Sequence, residues 1–165
     1  MNAGAYGGEM KDVVTSVTCL EDGKIVTKCA DELDFGYRRS AFSGKNTVIL
    51  SAVLALEKGN PDEIKAQMED FKQRRISKQP LDMPSAGSTF KRPEGFFAGK
   101  LIEDCGLKGF KIGGAQVSEK HSGFVINTGG ATAADVKELI EYIQMKVKEK
   151  FGVELKTEVK MLGDF

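Results

Sequence analysis

Ser88 lies in the stretch Pro84-Ser85-Ala86-Gly87-Ser88-Thr89-Phe90-Lys91-Arg92-Pro93, where small residues precede one hydroxyl and two cations follow it. Such a hydroxyl can act as a nucleophile, as a proton donor or as a ligand for an anion. Hydrolytic attack asks for a G-x-S-x-G elbow and a nearby base. The sequence Ala86-Gly87-Ser88-Thr89-Phe90 is not that motif. A proton donor needs cations or donors that stabilise the alkoxide it leaves behind. Lys78, Lys91 and Arg92 can supply that field or bind phosphates. The plain alternative is a loop serine hydrogen-bonded to its own backbone.

Three other polar residues have equally open readings. Arg38, in Phe35-Gly36-Tyr37-Arg38-Arg39-Ser40, carries a planar guanidinium suited to gripping a carboxylate at two points. It reads equally well as a solvated surface arginine. Glu158 sits between Lys156 and Lys160, the pattern of a solvated face. His121 is the sole histidine, so a multi-histidine metal site is excluded and any Ser/His pair must use it. At the amino-terminal end, Asn2-Ala3-Gly4-Ala5-Tyr6-Gly7-Gly8 has the glycine content that lets a backbone approach a phosphate. A flexible tail has the same composition.

These residues must be placed by a set of short elements. Val/Ile/Thr-rich segments at 12–20 and 24–30, joined through Glu21-Asp22-Gly23-Lys24, predict a β-hairpin. In that register Cys19 faces Val26 and Cys29 faces Ser16, so the two thiols are poor disulfide partners. Residues 47–56 predict a buried strand. Asn60 caps a helix with Pro61 in its first position and Asp62 and Glu63 in its first turn, and Ile64, Met68 and Phe71 form its apolar face. Residues 76–95 read as a long loop, a length that points to function or disorder. A short helix at about 96–105 ends at Gly106, and strands follow near 109–117 and 122–127. Thr132, with Asp135 three residues on, caps a helix whose face is Val136, Leu139, Ile140, Ile143 and Val147. The alternating VELKTEVKML at the end predicts a half-buried strand. The class is α+β.

The chain has 165 residues, with 41% hydrophobic and 29% charged, the balance of a folded globular protein. Lys+Arg and Asp+Glu are both 24, a balance that gives no reason to expect nucleic acid or an anionic membrane as partner. No apolar run reaches the ~20 residues that span a bilayer, and membrane insertion is not expected. Three cysteines without metal-ligand spacing fit buried thiols in a reducing cytoplasm.

Five segments, MNAGAYGGE, FGYRRSAF, KQPLDMPSAGSTFKRP, AGKLIEDCGLKGFKIGGAQVSEKHSGFVIN and TEVKMLG, occur in the order of one family that the chain closely resembles. That family is UDP-N-acetylenolpyruvoylglucosamine reductase, also called UDP-N-acetylmuramate dehydrogenase, in its shorter form. The resemblance implies a cytoplasmic oxidoreductase of peptidoglycan precursor synthesis. In this family NADPH reduces bound FAD, and a hydride then passes to the vinyl carbon of UDP-N-acetylglucosamine enolpyruvate. It implies Ser88 as proton donor, with Arg38 and Glu158 stabilising the enolate through the substrate carboxylate. Lys78 falls at a phosphate-contacting position and His121 where another branch carries a glutamine near the substrate; Arg92, beside Ser88, is expected to bind substrate with them. Asn2, Ala3, Gly4, Ala5 and Gly7 fall on the last part of a flavin pyrophosphate loop.

On this resemblance, residues 1–76 are the end of an FAD-binding region that lacks its beginning. Residues 77–165 are a complete substrate-binding domain. The expectation is a chain that is inactive alone and holds FAD weakly or not at all. Two alternatives stand beside it. One is a non-catalytic module that binds a UDP-sugar; the other is a serine hydrolase using Ser88 and His121.

Overall fold

The computed structural model describes residues 1–163 and divides into two compact units, Met1–Phe71 and Lys72–Phe165. The last two residues of the domain expected over 77–165 lie outside the described residues. Both units combine helix and antiparallel sheet, the α+β class expected.

The first unit opens with a small hairpin, β1 (Gly4–Ala5) and β2 (Gly8–Glu9). Its turn residues Tyr6 and Gly7 both have positive φ, 52° and 90°. A two-residue hairpin turn of that hand demands this conformation. The segment is therefore not a tail: Asn2 is buried, and its amide donates to Glu9 Oε2 at 2.8 Å while its Oδ1 accepts from the Lys11 N–H. Tyr6 stacks on Phe71, with ring centroids 4.4 Å apart.

β3 (Val14–Glu21), β4 (Lys24–Cys29) and β5 (Thr47–Leu54) form a sheet in the order β4-β3-β5. The hairpin has the predicted register, with Cys19 opposite Val26 and Ser16 opposite Cys29. Asp22 and Gly23 make its turn, again with positive φ at both. The core of this unit is small: Val14, Val17 and Leu33, supported by Met10, Phe35 and Phe42. Two expectations fail here. Cys29 is exposed although Cys19 is buried, because Cys19 lies on the central strand β3 and Cys29 ends the edge strand β4. β5 is a strand, as predicted, but it is not buried: Val48, Leu50 and Val53 are 55%, 51% and 57% exposed. It pairs with β3 along one edge, and the described residues of this unit place no layer over its apolar side chains.

α1 (Pro61–Lys78) starts as predicted, with Asn60 Oδ1 accepting from the Asp62 N–H at 2.9 Å. It runs past the expected end, so the first residues of the predicted 76–95 loop are helical. Further along, Ser85–Ser88 is not loop either but strand β6. It is the edge of a four-stranded sheet in the order β6-β9-β8-β7, with β7 at Lys111–Ile112, β8 at Ala115–Val117 and β9 at Phe124–Asn127. A Pro/Ser/Gly composition reads as loop, yet it also suits a short edge strand interrupted by a bulge. The predicted strand at 109–117 is a hairpin turning at Gly113-Gly114. A Cβ on Gly114 would sit 2.4 Å from Ala131 N, so that close approach requires glycine.

α2 (Ala98–Asp104) ends before Gly106, whose φ of 73° stops the helix. α3 (Ala133–Phe151) carries the predicted capping box between Thr132 and Asp135, and Leu139, Ile140, Ile143 and Val147 are buried. These side chains pack with Leu101 and Ile102 of α2 and with Val117 and Val125 of the sheet. Each such burial stabilises by roughly 1.5–3 kcal/mol, and together they form the larger core. The final segment alternates as predicted only through Leu155. Beyond it lies a single bridge, Phe90 to Thr157, rather than a strand, and Met161 is exposed.

Candidate active site

In the second unit, the bulge in β6 decides where Ser88 points. Ser85 pairs with Ile126 and Ser88 with Phe124, so three steps on β6 match two on β9. Gly87, at φ 84°, takes up the extra residue. Bulges of this kind re-aim a side chain out of the regular pleat. Ser88 is exposed, and its hydroxyl donates to the Phe90 carbonyl at 3.3 Å. That contact is long for an O–H···O bond, whose usual range is about 2.5–3.0 Å. The hydroxyl is thus only weakly engaged by the protein.

Thr89, next in sequence, fastens the surroundings. Its N–H donates to Gly123 O, its hydroxyl accepts from the Val125 N–H, and its carbonyl accepts from the Glu158 N–H at 2.9 Å. Lys91 N–H donates to Lys156 O on the same pair of segments. Glu158 is therefore brought beside Ser88-Thr89 from 70 positions away. Sequence reasoning missed Thr89; its signal was only that it adjoins Ser88. A buried threonine with all three polar groups engaged is a fixed support rather than a reactant.

The imidazole of His121 is equally constrained. Its Nδ1 accepts from the Gly123 N–H at 3.1 Å, which leaves the N–H of the neutral ring on Nε2. The ring meets Phe124 edge-on at 5.0 Å. Cβ atoms on Gly99 or Gly123 would lie 3.4 and 3.0 Å from its Cε1, so both glycines make room for it. Neither glycine carried a sequence signal. Ser118 Oγ accepts the N–H groups of Lys120 and His121, and Ser122 Oγ is buried without a hydrogen-bond partner. No hydrogen bond joins Ser88 to His121 among the described residues, so the pair that a serine hydrolase would need is not formed.

Lys78 is exposed at the end of α1. Arg92 lies with its guanidinium 3.9 Å from the centroid of Phe97, its Nε donating to Phe96 O. Beneath the β6–β9 edge is a cavity of about 310 Å³, lined mostly by apolar groups of Ala86, Val125, Val136, Ile140 and Val159.

In the first unit, Arg38 occupies the turn between the bridged Gly36 and Arg39 and has a φ of 52°, a strained position for a non-glycine residue. It lies near enough to Glu9 to lower that carboxyl's pKa. The larger causes of the lowering are the hydrogen bonds from Lys11 and then Asn2. Arg38 and the amino-terminal hairpin thus share one neighbourhood within this unit. As a flavin site the hairpin is insufficient. The polar groups of Asn2 are spent on Glu9 and Lys11, and a carboxylate stands beside the turn. Gly7 does leave open space above its Cα, which permits close approach by a ligand but does not hold one.

A bulged edge strand presenting an exposed serine, a glutamate fastened beside it and a glycine-lined histidine lie together on one small α+β unit. Comparison with known proteins gives its family. The family model for the UDP-N-acetylenolpyruvoylglucosamine reductase C-terminal domain matches residues 79–162. The reductase of Caldanaerobacter subterraneus subsp. tengcongensis is 62% identical over 99% of this chain, and that of Clostridioides difficile is 56% identical over 99%. The crystal structure of the Thermus caldophilus reductase matches 96% of the chain, at 38% identity and a TM-score of 0.83. The chain belongs to the UDP-N-acetylenolpyruvoylglucosamine reductase family. It spans about 55% of the length of the curated relatives and 57% of the Thermus chain.

Proposed function

We propose that this chain carries the substrate-binding and proton-donating residues for reduction of UDP-N-acetylglucosamine enolpyruvate to UDP-N-acetylmuramate. The observation that supports the reading best is Ser88, exposed on a bulge with Glu158 fastened beside it by the Thr89 carbonyl. Hydride addition to the vinyl carbon leaves negative charge on the adjacent carbon and, by conjugation, on the substrate carboxylate. Ser88 donates its proton to that carbon, and its alkoxide is reprotonated from solvent. Arg38 and Glu158 hold and stabilise the carboxylate, Arg38 through a two-point grip. Lys78, Arg92 and the Nε2–H of His121 bind the nucleotide part, the two cations facing its pyrophosphate.

The hydride is supplied from outside these residues; the family resemblance makes FAD its carrier and NADPH its source. Asn2, Ala3, Gly4, Ala5 and Gly7 would contribute one edge of the flavin's pyrophosphate site. The rest of that site is not among the residues described. A second reading is a module that binds the UDP-sugar without catalysing, favoured by the engagement of Asn2 with Glu9 and Lys11 in place of a ligand. NADPH oxidation with the enolpyruvyl substrate, in an enzyme completed by the remaining length of the relatives, separates the two, since only the enzyme reading predicts turnover.

The chemical assignment is tested by Ser88→Ala in an enzyme completed by the remaining length of the relatives. The hydroxyl is needed only after charge develops on the substrate. Substrate reduction should slow by about 10²–10⁴-fold, the usual worth of a general acid. Flavin reduction by NADPH should be nearly unchanged. Equal slowing of both half-reactions in stopped-flow absorbance would remove Ser88 from the proton-donor role.

A further inference from the structure

The last turn of α1 has a defect written into the sequence. A helical carbonyl normally accepts from the N–H four residues on. For Ile76 that residue is Pro80, which has no N–H. The preceding carbonyl is served, since Gln79 N–H donates to Arg75 O at 2.9 Å. The Ile76 carbonyl is served from 44 positions away: Lys120 Nζ donates to it at 2.6 Å. An ammonium at a helix carboxyl end both fills the orphan acceptor and opposes the negative end of the helix dipole.

Lys120 does not come from an arbitrary loop. The buried Ser118 accepts the N–H groups of Lys120 and His121 with one hydroxyl, at 3.2 Å each. His121 is in turn locked by Gly123. A single rigid turn therefore carries the imidazole and the tether, and the tether ends two residues before Lys78.

We propose that Lys120 is a positioning residue that pins the end of α1 to the 118–123 turn. It thereby sets Lys78 and His121 at a fixed separation as a two-point grip for the nucleotide part of the ligand. The proposal rests on the reading of Lys78 as a nucleotide-binding group. Without the tether, the last turn of α1 frays and the Lys78 ammonium samples a wider volume, so the ligand must order it on binding. The stem of Lys120 does not touch the ligand; only its ammonium matters, through Ile76.

Calorimetric titration of the 165-residue chain with UDP tests this. Lys120→Met keeps the stem and removes the donor, and should weaken UDP by about tenfold, a coupling within the usual range for residues acting as a unit. Lys120→Arg, which retains a donor, should stay within about threefold of the parent. The same Lys120→Met change made in a Lys78→Ala background should cost less than about twofold, because the group it positions is gone. Amide exchange at Gln79 should accelerate in Lys120→Met alone. An unchanged UDP affinity in Lys120→Met overturns the proposal. So does an equal loss in both backgrounds, which would mean that Lys120 meets the phosphate directly or acts on the whole fold. If the parent chain binds no UDP, the nucleotide-binding reading itself falls and the tether's purpose falls with it.

Discussion

Arg38 and Glu158 belong to different units and hold their places by different means. Arg38 sits at φ 52°, a conformation that costs a non-glycine residue of order 1–3 kcal/mol. A backbone held there points to a side chain whose direction matters. Lysine could occupy the same turn but offers a point charge in place of a planar fork. Arg38→Lys in a completed enzyme should therefore lower kcat/KM by at least tenfold, measured by NADPH oxidation. Near-full turnover would return Arg38 to an ordinary surface role. Glu158 is oriented through its own backbone N–H, so replacing the side chain leaves the fastening intact. Glu158→Gln, which keeps hydrogen-bonding capacity, should be less damaging than Glu158→Ala in the same assay.

α3 and the glycine hairpin before it form one element pair, and Asp135 joins them. Its carboxylate accepts from the Thr132 N–H at 2.9 Å and from the Gly114 N–H at 3.3 Å, while its own N–H donates to Thr132 Oγ1. These bonds, the Thr132 ones first, hold its pKa below the ordinary 3.8. A group depressed in the folded state adds stability above its unfolded pKa, and that stability is lost as pH falls through the folded value. The contribution should be fully present at neutral pH and begin to fall as pH drops below about 4. Asp135→Asn should flatten that acid limb in urea unfolding curves; an unaltered limb would show that other carboxylates dominate it. Gly114 tests the steric half of the same junction. Its missing Cβ would meet backbone atoms, Ala131 N at 2.4 Å and Gly129 O at 2.6 Å, which cannot swing aside. Gly114→Ala should destabilise the chain by about 1–3 kcal/mol, the usual cost of overpacking. Urea midpoints check this, with Gly8→Ala, where the nearest atom lies 4.0 Å away, as the control in open space.

The two units carry very unequal cores. The second buries a continuous cluster from Phe90 to Leu155, whereas the first relies on Val14, Val17 and Leu33. β5 presents Val48, Leu50 and Val53 to solvent and, among the described residues, is an edge strand without a charge or a proline. Long apolar edges of this kind template pairing with another chain. The 165-residue chain should accordingly self-associate in sedimentation velocity as its concentration rises, and Leu50→Lys should suppress it. A wild-type chain that stays monomeric at every concentration would show that this edge is protected. The same chain should also fail to oxidise NADPH in the presence of FAD and the enolpyruvyl substrate. Hydride transfer needs the two reactants held within about 1 Å of the productive geometry, and the β1–β2 hairpin commits the polar groups of Asn2 to Glu9 and Lys11.

Local chemistry was legible in the residues themselves. The Asp22-Gly23 turn fixed the β3–β4 register, Asn60-Pro61 and Thr132-Asp135 fixed two helix starts, and the 3.6-residue period picked out the buried face of α3. Each of these depends on groups within a few positions of one another, so sequence suffices. The same holds for the segments around Ser88, Arg38 and Glu158 that carry the family resemblance. Only tertiary structure made Ser85–Ser88 a bulged strand, because its partner Ile126 lies some forty residues on and Pro, Ser and Gly suit a loop equally well. Only it brought Glu158 against Thr89, gave His121 its tautomer through Gly123, and filled the acceptor that Pro80 leaves on Ile76 with the ammonium of Lys120. It also left β5 exposed, although its composition is that of a core strand. Burial depends on what lies across a surface, and a strand's own residues do not encode what lies opposite.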